Sequence, residues 1–138
     1  VAFLVEPVLF SLNQKVEMTL PEFQEAQLQT CQEFQPHCDI LKLQYPGDAL
    51  GCATITAELD VPWILLSRGL HYDDFKEALN VSLENGCKGF AAGRSVWQEI
   101  AEHKNEDGSL NMVAVQQFLE TTAIERIKEL IAMTEAAA

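Results

Sequence analysis

At 138 residues and 48% hydrophobic content the chain is long enough to build one domain with its own core, which excludes disorder as its main state. A formal net charge of -12 repels nucleic acid and anionic membrane, so an anionic ligand needs a local pocket. Four cysteines, Cys31, Cys38, Cys52 and Cys87, lack the close CxxC spacing of a zinc site and read as reduced thiols of a cytoplasmic protein, although a disulfide between two of them stays open.

The apolar residues 1–4 meet Glu6 and Pro7 too soon for a signal or transmembrane segment. Valine at position 1, where an intact open reading frame has methionine, reads as a processing boundary with sequence upstream. Residues 3–6 form a short apolar strand ending in a carboxylate, which residues 8–10 extend. Phe23, Ala26, Thr30, Cys31 and Phe34 recur at helical spacing behind a Thr19 cap, with Pro21 tolerated in the first turn. Residues 39–45 predict a second strand, stopped by Pro46-Gly47. Residues 48–59 are a weaker helix, since a glycine and several β-branched residues sit inside it.

Val61-Pro62 opens a third strand, the continuously apolar run 63–66, as expected of a parallel strand covered on both faces. Phe75, Ala78, Leu79 and Leu83 predict the next helix, capped by Asp73 or Asp74 and ended by Asn85-Gly86. Residues 89–93 make a small-residue strand, followed by a helix from Arg94 to about Ile100 and a polar turn at 107–109. The last helix carries Val115, Phe118, Leu119, Thr122, Ile127, Leu130 and Ile131 on one stripe, and residues 136–138 fray. Strand and helix alternating four times imply right-handed crossovers and a parallel sheet. Two architectures compete for residues 1–138 as a single domain: an open four-stranded sheet, or a (β/α)4 unit corresponding to the C-terminal half of a (β/α)8 TIM-type barrel, which takes roughly 250 residues in full.

The carboxyl ends of parallel strands are where such proteins place their chemistry. Lys42 shares strand parity with Ile40 and Gln44, while Leu41, Leu43 and Tyr45 point toward covering helices. An inward lysine whose charged form is disfavoured by burial is a nucleophile for a carbonyl, giving a Schiff base; the plainer alternative is a snorkelling lysine on an edge strand. Glu6 is a candidate partner or general acid and base, against the simpler reading of a solvated strand-end carboxylate. Ser67-Arg68-Gly69 and Gly93-Arg94-Ser95 look together like a phosphate cradle: glycine lets backbone amides approach, and Arg94 can pair bidentately. His37, His71 and His103 lie on unrelated segments without ligand spacing, so no metal or other cofactor is expected. Trp63 and Trp97 read as packing residues.

Residues 3–10 (FLVEPVLF), 39–46 (DILKLQYP), 63–70 (WILLSRGL) and 89–97 (GFAAGRSVW) resemble, in this order, the C-terminal half of class I tagatose-1,6-bisphosphate aldolases, with sulfo-sugar phosphate aldolases as relatives. The resemblance implies a lyase that cleaves a phosphorylated ketose to dihydroxyacetone phosphate and an aldehyde. Lys42 would be its Schiff-base lysine and Glu6 its acid-base carboxylate, with Ser67, Gly69, Gly93 and Arg94 around the substrate phosphate. Arg68 departs from the small residue expected in its slot, so it either reads a second anionic group or turns outward. A chain holding half a barrel exposes apolar sheet edges, which implies self-association or a missing N-terminal half. A non-catalytic sugar-phosphate-binding module is the competing function.

Overall fold

A computed structural model of the chain describes residues 1–12 and 16–138. The four apolar runs become strands β1 (Leu4–Val5), β2 (Ile40–Leu43), β3 (Trp63–Leu66) and β4 (Phe90–Ala91). They form one sheet in the order β1-β2-β3-β4, parallel at every pairing. Between them run α1 (Leu20–Phe34), α2 (Ala49–Glu58) and α3 (Tyr72–Glu84), and after β4 come α4 (Arg94–Trp97), α5 (Met112–Phe118) and α6 (Ile124–Ala136). Strand order that follows chain order means every crossover steps the same way, and right-handed crossovers taken in one direction lay the helices on one side of the sheet. Burial alternates accordingly. Leu41, Leu43, Trp63 and Leu65 are buried beneath the helices, whereas Ile40, Lys42, Ile64 and Leu66 on the opposite face are half-buried and Leu4 is exposed.

The helix layer packs in sequence, α1 against α2, α2 against α3 and α3 against α6. Its core joins Cys31, Ile55, Phe75, Leu79 and Leu130 to the buried strand residues. Local chemistry fixes the helix ends. The Glu22 carboxylate accepts hydrogen bonds from the backbone N–H and the hydroxyl of Thr19 at 2.8 and 2.7 Å, closing the start of α1. Asp48 accepts from the Gly51 amide at 2.7 Å, which settles 48–59 as a helix despite its β-branched residues. A Cβ on Gly51 would stand 2.6 Å from the Gln24 amide, so this glycine allows α2 its close approach to α1.

Several boundaries differ from the sequence expectation. The strand expected over 39–45 pairs only over Ile40–Leu43, and that expected over 89–93 pairs only over Phe90–Ala91, while 8–10 leave the sheet altogether. A short strand pairs only where its neighbour runs alongside, and register, not composition, decides that. Helix α3 begins one turn earlier than expected: His71 is its N-cap, and Asp73 and Asp74 lie in its first turn, complementing the helix dipole in place of capping. Residues 94–100 divide into the single turn of α4 and a 3₁₀ segment, Gln98–Glu102. The final helix is interrupted by a π turn, Leu119–Ala123, so the expected stripe splits: Val115, Ala123 and Leu130 are buried, whereas Leu119, Ile127 and Ile131 are 40 to 44% exposed.

Candidate functional site

Strand register brings Glu6 and Lys42 together. Leu4 pairs with Ile40 and Val5 with Leu41, so the next residue of each chain, Glu6 and Lys42, fall side by side on the face without helices. Lys42 Nζ stands 2.6 Å from Glu6 Oε2, with side chains 21% and 36% exposed. The sequence left Lys42 between an inward and a snorkelling residue and Glu6 between a partner and a solvated carboxylate; the two are paired. Burial is not complete: the amine is partly open to solvent and engaged in an ion pair.

Lys42 forms one wall of a cleft of about 350 Å³, with Leu66, Ser67, Arg68, Gly69, Ala91, Ala92, Gly93, Arg94 and Trp97 forming the rest. All the residues expected around a phosphate therefore converge, although the two turns are separated by more than twenty positions in sequence. Their meeting point is tight. A Cβ on Gly69 would lie 3.2 Å from Arg94 Cζ and Nη2, so the guanidinium rests against the bare backbone of the other turn. Gly69 also has φ +75°, a left-handed conformation in which only glycine is unstrained. Ser67 is 4% exposed, and its carbonyl accepts from the Leu70 amide at 3.0 Å, closing that turn.

Arg68 shares the left-handed conformation, φ +50°, which is uncommon for a residue with a side chain. Its guanidinium lies over the ring of Phe10, 5.7 Å from the centroid, where it also lines a second cavity with Leu9, Phe10 and Ser11. Arg68 thus lines both the cleft of Lys42 and Arg94 and the cavity beside Phe10. Trp97 corrects the expectation of a packing residue: it is 41% exposed and lines the cleft, whereas Trp63 is buried and donates to Thr56 Oγ1 at 3.0 Å.

Three of the nine lysines and arginines, Lys42, Arg68 and Arg94, line this one cleft in a chain of net charge -12. That concentration makes a local positive site in an otherwise repulsive surface. The cleft sets the Lys42 amine, with Glu6 bound to it, beside two glycine turns and the Arg94 guanidinium.

Sequence reasoning missed the support behind Arg94. Arg126 on α6 donates from Nη1 to the Val96 carbonyl at 2.9 Å and grips Glu99 through two bonds of 3.0 and 2.7 Å. Gln98 Nε2 donates to the Leu70 carbonyl at 3.0 Å, tying the two turns together. Glu99 is held below the usual carboxylate range, chiefly by its hydrogen bonds from Arg126. No spacing signal links residues this far apart in sequence. Among the described residues, no group of three or more His, Cys, Asp or Glu side chains is gathered closely enough to hold a metal ion. Among the described residues, no helix is long and apolar enough to cross a membrane. No protein-family model matches the chain.

Proposed function

We propose that the chain is a class I aldolase-type lyase domain acting on a phosphorylated ketose, with Lys42 as nucleophile and Glu6 as its proton carrier. The observation that carries this reading is the 2.6 Å pairing of Lys42 Nζ with Glu6 Oε2 in the wall of a cleft whose other wall is the Ser67–Gly69 and Gly93–Arg94 turns. In this mechanism the phosphate sits against the two turns and Arg94, which fixes the ketone carbon near the amine. Lys42, having passed a proton to Glu6, attacks that carbon; Glu6 returns the proton to the carbinolamine hydroxyl, which leaves as water to give an iminium ion and a carboxylate. Glu6 then removes the proton of the hydroxyl on the far carbon of the bond to be cleaved, the carbon that becomes the aldehyde. That bond breaks, its electron pair runs into the iminium to leave an enamine, and the aldehyde departs. Protonation of the enamine and addition of water release dihydroxyacetone phosphate and regenerate the amine. No metal or other cofactor takes part.

The same reading takes the sheet as half of a closed (β/α)8 barrel. Strands in chain order with helices on one side are how such a barrel is wound, and the half-buried face bearing Lys42 would be its lumen. The free edges of β1 and β4 would pair with further strands, supplied by an N-terminal half or by a second copy.

One observation favours a second reading, a sugar-phosphate-binding module without turnover: the amine is partly exposed and ion-paired, not buried alone. Borohydride reduction in the presence of dihydroxyacetone phosphate, followed by mass spectrometry, separates the two. The lyase reading expects one reduced adduct, located on Lys42 and missing from Lys42→Ala. A folded protein that binds the phosphate yet traps nothing would sink the lyase reading and leave the binding module.

A further inference from the structure

The residue that carries the cradle's arginine belongs to an element too short to hold itself. Helix α4 is a single turn, Arg94–Trp97, closed by Val96 N–H donating to the Gly93 carbonyl at 2.9 Å and by Gln98 N–H donating to the Arg94 carbonyl. Isolated turns of this length do not persist, because nucleation costs more order than one or two hydrogen bonds return. What holds this one comes from outside. The Arg126 guanidinium takes the Val96 carbonyl and both oxygens of Glu99, so one rigid fork grips the chain on either side of Trp97 and Gln98.

The fork is itself fixed. It lies 4.6 Å from the centroid of the Tyr72 ring and 5.4 Å from that of Phe118. The Tyr72 hydroxyl donates to Glu129 Oε2 at 2.5 Å, binding α3 to α6 one turn further along. From the gripped segment Gln98 reaches the Leu70 carbonyl, so the fork's position sets the spacing between the turn of Arg94 and the turn of Ser67 and Gly69.

We infer that Arg126 is a positioning residue for the anion cradle: through Val96, Glu99 and Gln98 it sets the distance between the two turns and so the placement of Arg94. The inference rests on the proposed reading of the cradle as the seat of the substrate's phosphate. A fixed fork matters because a displacement of about 1 Å at such a site weakens productive binding steeply.

The test has one arm without ligand and one with it, both on the whole chain. Hydrogen exchange read by mass spectrometry should show Arg126→Met exchanging faster over residues 93–99, while the core strand 63–66 keeps its protection. Unchanged exchange over 93–99 overturns the inference. In the second arm, the concentration of dihydroxyacetone phosphate giving half-maximal trapping on Lys42 should rise on the order of tenfold in Arg126→Met, with the adduct yield at saturation kept. Arg126→Lys, which has no planar fork, should recover only part of this, and full recovery by lysine would overturn the fork argument. If Arg126→Met does not fold, Gln98→Ala cuts only the link to Leu70 and should raise the same half-saturation; an unchanged value refutes the proposal. Should the wild type trap and bind nothing, the reading of the cradle fails, and the exchange arm still decides whether Arg126 orders it.

Discussion

The two faces of the sheet are built from the same strands and do different work. On the covered face Leu41, Leu43, Trp63 and Leu65 are each at most 2% exposed and pack against the helix layer. On the other, Ile40, Lys42, Ile64 and Leu66 are only half-buried, and the one charged residue among them is the proposed nucleophile. Strand parity alone separates the sets, since neighbouring residues point to opposite faces. On the proposed reading, stability and chemistry fall to alternate residues of one strand, so each can be removed while the other is kept.

The largest effect should come from Lys42→Ala, which is expected to abolish the borohydride-trapped adduct while the thermal transition moves little. A large fall in melting temperature would instead make this lysine part of the scaffold and erase the distinction. Next, Phe75→Ala should cost about 3–5 kcal/mol in urea unfolding, because that ring is completely buried against the covered face. Ile64→Ala on the open face should cost about 1 kcal/mol. Equal costs would mean that the open face is as tightly packed as the covered one.

The third test uses pH. Burial pushes the Cys31 thiol up to about 12 and the Cys87 thiol up to about 11, both within the covered core. A group whose folded pKa lies above its unfolded value adds stability that is complete below the unfolded pKa, about 8.5 for a thiol, and is lost as pH rises toward the folded one. Unfolding free energy should therefore hold level to about pH 8.5 and decline from there toward 11. Both thiols should also react slowly with a disulfide reagent at pH 8 unless the protein is unfolded. Rapid labelling of Cys31 in the native protein would show the covered face to be open. The smallest effect is expected at a helix end: Asp48→Ala removes the bond to Gly51 and should lower stability by about 1 kcal/mol without changing the trapping of Lys42.

Much of this was legible in the sequence where one local signal sufficed. The unbroken run 63–66 gave a parallel strand, and alternation along 40–43 placed Lys42 opposite its apolar neighbours. The convergence of the two glycine turns followed from their common position at strand ends. Other features depended on what the chain meets after folding. The direction of Arg68 is set by a left-handed backbone and the Phe10 ring, neither of which has a spacing to read. His71, not Asp73 or Asp74, stands at the start of α3, and its side chain makes no capping bond, so no capping signal marks this end in the sequence. The Arg126 network joins residues 27 and 30 positions apart, beyond the reach of any helical or strand period.

The π turn at Leu119–Ala123 has its own bearing on how this helix tolerates changes in length. A π turn holds one residue more than an α turn, and here two adjacent residues, Thr122 and Ala123, turn inward after Phe118 before the ordinary steps to Arg126 and Leu130 resume. Removing one residue from 119–122 would turn the π turn into an ordinary α turn and leave Arg126 and Leu130 facing as they do now. Adding one would rotate everything beyond it by about 100° and carry the arginine fork away from Val96 and Glu99. The final helix is therefore asymmetric toward insertion and deletion: it already carries the only spare residue that its face can absorb.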